Sequence, residues 1–443
     1  MGRPTHTQTL AIWCNGLLVG HWSQNKGEHA LTYDADWVAS PMGRPLSRSL
    51  PFGVGARSVL KGQLVARYFD NLLPDSIDIR KRLAAIHKTA SSEAFDMLSS
   101  LGRDCVGAVQ LLPEGQAPHG THRIEGQPLS DEAVEQHLLR IVESPGLGTA
   151  NDEREDLRIS LAGAQEKTAL LWHEGQWMRP IGATPTTHIL KLPLGLVGNR
   201  RLDLASSVDN EWLCLALLRA YGLPTAEADI LSFGSQRVLS VHRFDRALHP
   251  SGKWWMRLPQ EDFCQTLGLP SHQKYEADGG PGLIQLGEVL KHAVHAEQDL
   301  ATLMCSQIVF WMLAAPDGHA KNFSLQLLPA GRYKLAPLYD VMSIWPVEGV
   351  GPNQWNWQKA KLAMALHGKN KHALMKSIMP RHFDSTAAKL GWNVDAQALK
   401  QQLAERTPQV IDQVNATLPQ DFNQQVADAV FKQLALSAEK LLR

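Results

Sequence analysis

The 443-residue chain is short of the features that mark several common protein classes. It has five cysteines, Cys14, Cys105, Cys214, Cys264 and Cys305, an odd number with no C-x-x-C pair. With no metal-like spacing either, reduced thiols in a cytoplasmic protein are the simplest reading. Net charge is missing too: Lys+Arg and Asp+Glu both number 44. Bulk charge therefore gives no case for a direct nucleic-acid binder, leaving a local basic face or a basic partner. No apolar run approaches the roughly 20 residues that span a bilayer, so no membrane partner is expected. The opening MGRPTHTQTL has no secretory apolar core, and position 6 is His rather than the Ser or Thr of a myristoylation signal. Repeats and low-complexity blocks are likewise absent.

What is present reads as a globular chain of two or three domains, 44% hydrophobic and 20% charged. Residues 8–20, QTLAIWCNGLLVG, read as a hairpin turning at Asn15-Gly16. Residues 76–111 read mostly as helix before VGAVQLL returns to strand, and 113–128, rich in Pro and Gly, as a linker. A helix is expected over 130–143. Strands with one strong helix dominate 157–245, and from 283 onward the pattern is helical apart from a hairpin near 323–339. We expect an α+β chain divided as a β-rich amino-terminal subdomain (1–112), a connection (113–149), a nucleotide-binding part (150–245) and a helical catalytic lobe (246–443). A cleft between two lobes is a usual ligand site.

The sharpest chemical signal is LAAPDGHAKNFSLQLLPAGRYKLAPLYD, 313–340. An apolar segment, 302–315, reads as a buried helix stopped by Pro316. Asp317 and Asn322 follow with four residues between them, then a strand–turn–strand, then Asp340. This order is that of a protein-kinase catalytic centre, so the two lobes are expected to form a protein-kinase-like fold. One carboxylate must take the proton of the acceptor hydroxyl. An amide oxygen and a second carboxylate must hold Mg²⁺ against the phosphates of ATP, because hard cations favour oxygen ligands. Taken alone, Asp317-Gly318 is equally a helix-ending turn and Asp340 a cap.

The upstream sequence supplies the other parts. In THILKLP, Lys191 alternates with Leu190 and Leu192 and so faces the opposite side. In SSVDNEWLCLALLRAYGLP, Val208, Glu211, Trp212, Leu215 and Leu218 share one helical face, and Glu211 on that apolar side needs a cation. Lys191 is the candidate. The bland alternatives are a strand-end lysine that snorkels and a surface carboxylate. VLSVHRFDR reads as a strand ending at the place of a kinase hinge. RISLAGAQEKTAL (158–170) fits neither common phosphate-binding glycine pattern. Its position between two strands of the nucleotide lobe suits a phosphate-covering loop, because backbone N–H groups in a turn can cradle phosphate. Phosphorylation of Ser160, at the loop's start, would add negative charge that repels ATP. A plain β-turn with a surface serine is the alternative.

Eight segments, DLRISLAGAQEKTALL, TPTTHILKLP, SVDNEWLCL, VHRFDR, RLPQEDFCQTLGLP, KYEADGGPG, DGHAKNFS and LYDVMS, together resemble the HipA family, the kinase toxins of HipBA toxin–antitoxin modules. The resemblance extends to RPLSRSLPF and FDNLLPDS near the start and MPRHF near 380. It implies a serine/threonine protein kinase that uses ATP and Mg²⁺. Asp317 resembles the catalytic base, and Asn322 and Asp340 the metal ligands. Ala162, Gly163, Ala164, Gln165, Glu166 and Lys167 resemble the loop over ATP, and Lys191 the lysine on its α-phosphate. His242, Arg243 and Phe244 match the hinge; His319, Ala320, Lys321, Asn322, Tyr339 and Asp340 match further ATP contacts. Ser160 aligns with a serine whose autophosphorylation inactivates the kinase. The implied substrate is an aminoacyl-tRNA synthetase, the glutamate-specific enzyme first, whose modification stops translation and arrests growth. The implied partner is HipB, a helix-turn-helix dimer that carries the complex to operator DNA. Two positions depart from the family pattern: Pro316 stands where Thr is expected and His242 where Glu is expected.

Two other readings stay open from the residues alone. One is an antitoxin-binding co-repressor with little kinase activity; the other is a small-molecule kinase, since DGHAKN is not the form found in eukaryotic protein kinases. The basic run Lys369–Arg381 reads as a solvated helix face or a stretch that approaches DNA.

Overall fold

The computed structural model describes residues 7–53, 59–142, 161–162, 165–198, 201–391 and 395–443. Its amino-terminal part is a five-stranded antiparallel sheet in the spatial order Val59–Lys61, Glu28–Tyr33, Leu17–Asn25, Gln8–Cys14, Gln110–Pro113. The hairpin at its centre turns on two residues, since Cys14 pairs with Leu17. Asn15 and Gly16 both take positive φ, 49° and 85°, which matches the twist of the flanking strands. Among the described residues four helices, Ala35–Ala39, Gln63–Asp70, Ile77–Ile86 and Ala94–Leu101, complete this part. Its core is centred on Trp22, whose ring stacks on Phe69 at 3.8 Å and meets Phe95 edge-on at 4.7 Å.

The second sheet has six strands, in the order Ala228–Phe233, Gln236–His242, His188–Lys191, Lys167–His173, Gln176–Pro180, Gly126–Pro128. The stretch 113–128, which reads as a linker, thus contributes the edge strand of this sheet. The helix Asp131–Val142 packs on one face through Val134 and Leu138, against Leu170, Leu190, Leu192 and Val238. The helix Ser207–Ala220 covers the other face through Val208 and Leu215, against Ile189, Leu239 and Val241. Period-2 alternation explains the split: odd positions 189, 239 and 241 face one helix, even positions 190, 192 and 238 the other. Lys191, an odd position, therefore faces the helix that carries Glu211.

The carboxy-terminal lobe is a helical body around the largest apolar core, built on the helices Leu283–Leu290, Ala296–Met312, Pro380–Lys389, Ala396–Asn415 and Gln424–Leu441. A three-stranded sheet, Gln260–Asp262, Ser324–Leu327 and Tyr333–Leu335, lies at its junction with the nucleotide lobe. The buried helix expected over 302–315 ends at Met312, and Ala314 turns the chain with φ 47° before Pro316.

Residues 361–374 depart from the helical reading. Lys361–His367 and Lys371–Leu374 pair as a hairpin, and the basic run continues through a 3₁₀ turn at Met375–Ser377, with helix only from Pro380. Ala, Leu, Met and Lys favour helix, but Gly368 and Asn370 supply a turn, and pairing overrides propensity. All five cysteines are free thiols. Among the described residues no helix is long and apolar enough to cross a membrane.

Candidate active site

The site is organised around Lys191. Its Nζ donates to Glu211 Oε1 at 2.6 Å and to Asp340 Oδ1 at 2.5 Å. Glu211 is 2% exposed and Lys191 6%. Burial opposes a charge on Lys191, but Asp340 and Glu211 outweigh it and hold the ammonium above the ordinary lysine value. Burial also opposes ionisation of Asp340; Lys191 and then Lys167 reverse this and hold its carboxyl well below the usual range. Asp340 sits in the left-handed region at φ 61°, a strained backbone of the kind concentrated at functional sites.

Asp317 lies beyond the Ala296–Met312 helix, at the head of a tight loop. Its carbonyl accepts from Asn322 Nδ2 at 2.7 Å and from the His319 N–H at 2.8 Å. Because the Asn322 amide nitrogen is engaged, its oxygen remains the group that can meet a cation. Gly318 is required by space: a Cβ there would lie 2.7 Å from the buried Phe310 ring. A Tyr275 hydroxyl donates to Asp317 Oδ1 at 2.5 Å. Its ring also meets His319 edge-on at 4.8 Å.

A cavity of about 160 Å³ between the lobes is lined by Lys191, Phe244, Asp317, Asn322, Tyr339 and Asp340, among others. The separately predicted residues thus share one wall system. Phe244 and Tyr339 stand 5.7 Å apart, and the Tyr339 hydroxyl is tied to Ser324 and to the Lys321 carbonyl. A second, wider cleft of about 740 Å³ opens from Asp317 and Asp340 toward Trp355, Lys361 and Lys371.

His242, Arg243 and His319 also line this cavity, but the side chains of several predicted residues are engaged elsewhere. The Arg243 side chain is 3% exposed and committed to Asp245, Asp104 and Thr186. The His242 ring packs on His188 at 5.1 Å. Lys321 lines the cavity, yet its Nζ is bonded to Asn71 and Asp262. Ala320 is buried, and its N–H donates to the Lys274 carbonyl. In the loop, Gln165 donates to the Leu192 carbonyl at 2.7 Å, and Glu166 pairs with Arg82 of the amino-terminal part. Ala162 lines the cavity. Ser160, Gly163 and Ala164 lie outside the described residues. Tyr275, Asn71 and Asp75 were assigned no role from sequence, although KYEADGGPG and FDNLLPDS contain them.

The donor set suits a Mg²⁺–nucleotide. Two lysines, Lys167 and Lys191, sit opposite each other in the strand register, a like-charge pair that an anion would relieve. One carboxylate and one amide oxygen match a hard cation completed by phosphate oxygens. His319 Nδ1 is buried without a partner among the described residues, leaving a polar group for a ligand. The described residues hold no cluster of three His, Cys, Asp or Glu fit for a metal by themselves. A nucleotide-borne ion needs no such cluster.

The model of the HipA-like C-terminal domain matches residues 159–420, and that of the HipA N-terminal domain matches 10–112. The chain belongs to the HipA family. Among HipA relatives, the Sinorhizobium fredii protein Y4mE is 33% identical over 345 residues, covering 76% of this chain and 77% of its own. The serine/threonine-protein kinase toxin HipA of Shewanella oneidensis is 28% identical over 356 residues, 76% of each chain. A solved chain from the Shewanella oneidensis HipA, HipB and operator DNA complex aligns with TM-score 0.77 over 98% of this chain and 97% of that one, at 24% identity. That match shows the two-lobed, kinase-like α+β fold shared with HipA.

Proposed function

We propose that this protein is an ATP- and Mg²⁺-dependent serine/threonine protein kinase acting as the toxin of a toxin–antitoxin module. The observation that carries this reading is the junction at Lys191, which joins Glu211 to Asp340 in the cavity that also receives Asp317 and Asn322. Glu211 orients Lys191 toward the α-phosphate, and Lys167 adds a second cation. Asn322 and Asp340 would hold Mg²⁺, which would neutralise charge on the phosphates. Phe244 and Tyr339 enclose the base. Asp317 accepts the proton of the acceptor hydroxyl, and the wide cleft beyond it admits a protein segment. Low dielectric around the buried Lys191 and Glu211 strengthens their pairing.

The finer reading follows the family. The substrate is an aminoacyl-tRNA synthetase, the glutamate-specific one first, and its modification stops translation. Autophosphorylation at Ser160 limits the activity. A HipB-like dimer binds the chain and brings it to operator DNA. The zero net charge supports a division in which the partner supplies most of the phosphate-neutralising surface.

The test is transfer of labelled phosphate to the protein itself and to a purified synthetase, comparing wild type with Asp317→Asn. Loss of transfer by roughly 10³-fold or more with nucleotide binding retained is expected. Equal labelling by both proteins would defeat the assignment of the base, and growth arrest surviving the substitution would favour a co-repressor role.

A further inference from the structure

The turn after the helix Gln63–Asp70 carries two polar residues of the amino-terminal subdomain into the wall of the nucleotide cavity. Asn71 is 1% exposed; its Oδ1 and main-chain oxygen accept from Lys321 Nζ at 2.8 and 3.1 Å. Its Nδ2 donates to the carbonyls of Arg67 and Leu269. Asp75 Oδ2 accepts from Lys274 Nζ at 2.7 Å, and Asp75 Oδ1 lies 3.6 Å from Lys321 Nζ. Lys321 has one further anchor, Asp262 Oδ2 at 3.0 Å.

These two lysines bracket the reacting carboxylate. Lys321 belongs to the loop between Asp317 and Asn322. Lys274 precedes Tyr275, whose hydroxyl is bonded to Asp317, and the Lys274 carbonyl accepts the Ala320 N–H at 3.1 Å. Asp75 is thus the anion between two cations that each carry one side of the catalytic loop. Burial opposes its ionisation, but Lys321 and Lys274 outweigh it and keep it charged. Lys321 would keep Asp262 without Asp75, whereas the ion pair of the part-buried Lys274 among the described residues is with Asp75, so the Tyr275 side of the loop depends most on this contact.

We infer that the amino-terminal subdomain is a working part of the catalytic centre, with Asp75 as the positioning residue that holds Tyr275 and Asp317 through Lys274 and Lys321. The inference rests on the kinase reading above and assigns the subdomain a role within it. Displacing the 71–75 turn would leave the catalytic loop's two lysines without their shared anion, and the base would lose its fixed orientation.

The experiment uses the full chain as wild type, Asp75→Asn, Asp75→Glu, Lys274→Met and the Asp75→Asn/Lys274→Met double variant. Phosphotransfer kcat, binding of a fluorescent ATP analogue and hydrogen exchange by mass spectrometry are measured together. In Asp75→Asn, kcat should fall roughly 10- to 100-fold, since misplacement near 1 Å has that effect, while nucleotide affinity stays within about threefold. Exchange should quicken in 274–280 and 317–322 and stay unchanged in the strands Leu17–Asn25 and Glu28–Tyr33. Asp75→Glu should recover much of the rate, and the double variant should be no worse than the poorer single one. Wild-type kcat and exchange in Asp75→Asn would overturn the inference, as would loosening spread equally through the subdomain strands. If the wild-type protein transfers no phosphate, the kinase reading fails, and the exchange pattern still decides whether Asp75 holds the loop.

Discussion

Lys167 and Lys191 stand directly opposite each other on neighbouring antiparallel strands, and both feel the carboxylate of Asp340. Opposed like charges destabilise a sheet pair, so their retention needs a reason outside the sheet. Lys191 is saturated by Glu211 and Asp340. Burial pushes the Lys167 ammonium below its ordinary value, with Asp340 acting against that and Lys191 with it. On the proposed reading a triphosphate would sit against both, which makes the two lysines experimentally separable.

Lys191→Met should damage both folding and function. It removes the cation bonded to both Glu211 and Asp340, leaving only the more distant Lys167, and breaking a buried pair this way costs about 3–5 kcal/mol. Denaturant unfolding followed by tryptophan fluorescence checks the stability, and the phosphotransfer assay should show no turnover. Unchanged stability would mean the pair is solvated in solution.

Lys167→Met should behave differently. The unliganded protein should keep its Tm within about 2 °C. Nucleotide affinity should fall about tenfold, which corresponds to about 1.4 kcal/mol, and the ATP-induced rise in Tm should shrink. Thermal scans with and without Mg²⁺ and ATP measure both. A nucleotide response equal to wild type would remove Lys167 from the phosphate site.

Stability should fall in mild acid, and His137 is one cause. Its pKa is lowered to about 4 by burial first, then by Arg179 and Arg140, and its Nε2 meets Thr168 Oγ1 at 2.9 Å. Below the ordinary histidine value of about 6.5 the unfolded chain binds a proton that the folded chain refuses. The contribution of neutral His137 is therefore present above that pH and is lost progressively as pH falls from about 6.5 toward about 4. In His137→Gln the slope of unfolding free energy against pH over this window should flatten. An identical slope in wild type and variant would show that His137 titrates normally.

Asp104→Ala should be among the most damaging single changes. Asp104 meets Arg243, Arg246 and Arg257 at 3.4, 2.9 and 3.1 Å, with all four side chains buried. Asp245 is the other nearby anion, paired with Arg243 and Arg246. Removing Asp104 strands guanidinium charge at the junction of the amino-terminal subdomain and the hinge segment, at a cost of about 3–5 kcal/mol. Soluble yield and thermal unfolding report it; a variant as stable as wild type would show that water reaches the cluster.

Much of the catalytic line was legible from local pattern. Period 2 through THILKLP aims Lys191 away from Leu190 and Leu192, and helical spacing places Glu211 on the apolar face that receives it. The order of buried helix, Asp317, Asn322, hairpin and Asp340 was likewise readable, as was the Asn15-Gly16 hairpin. Where periodicity was weak or propensity pointed elsewhere, the reading failed. Residues 361–374 are helix-favouring by composition and form a hairpin because they pair with each other.

By itself, then, the order of residue types determined which face of its element each of these polar side chains occupies. These follow from local geometry, since strand and helix periods depend only on neighbours. Tertiary structure alone decided where the remaining charges are spent. Arg243 turned to Asp104, Lys321 to Asn71 and Asp75, and Tyr275 to Asp317. A buried polar or charged group takes whichever partner the closed fold brings within about 4 Å, and no local pattern encodes that partner when it lies in another part of the chain.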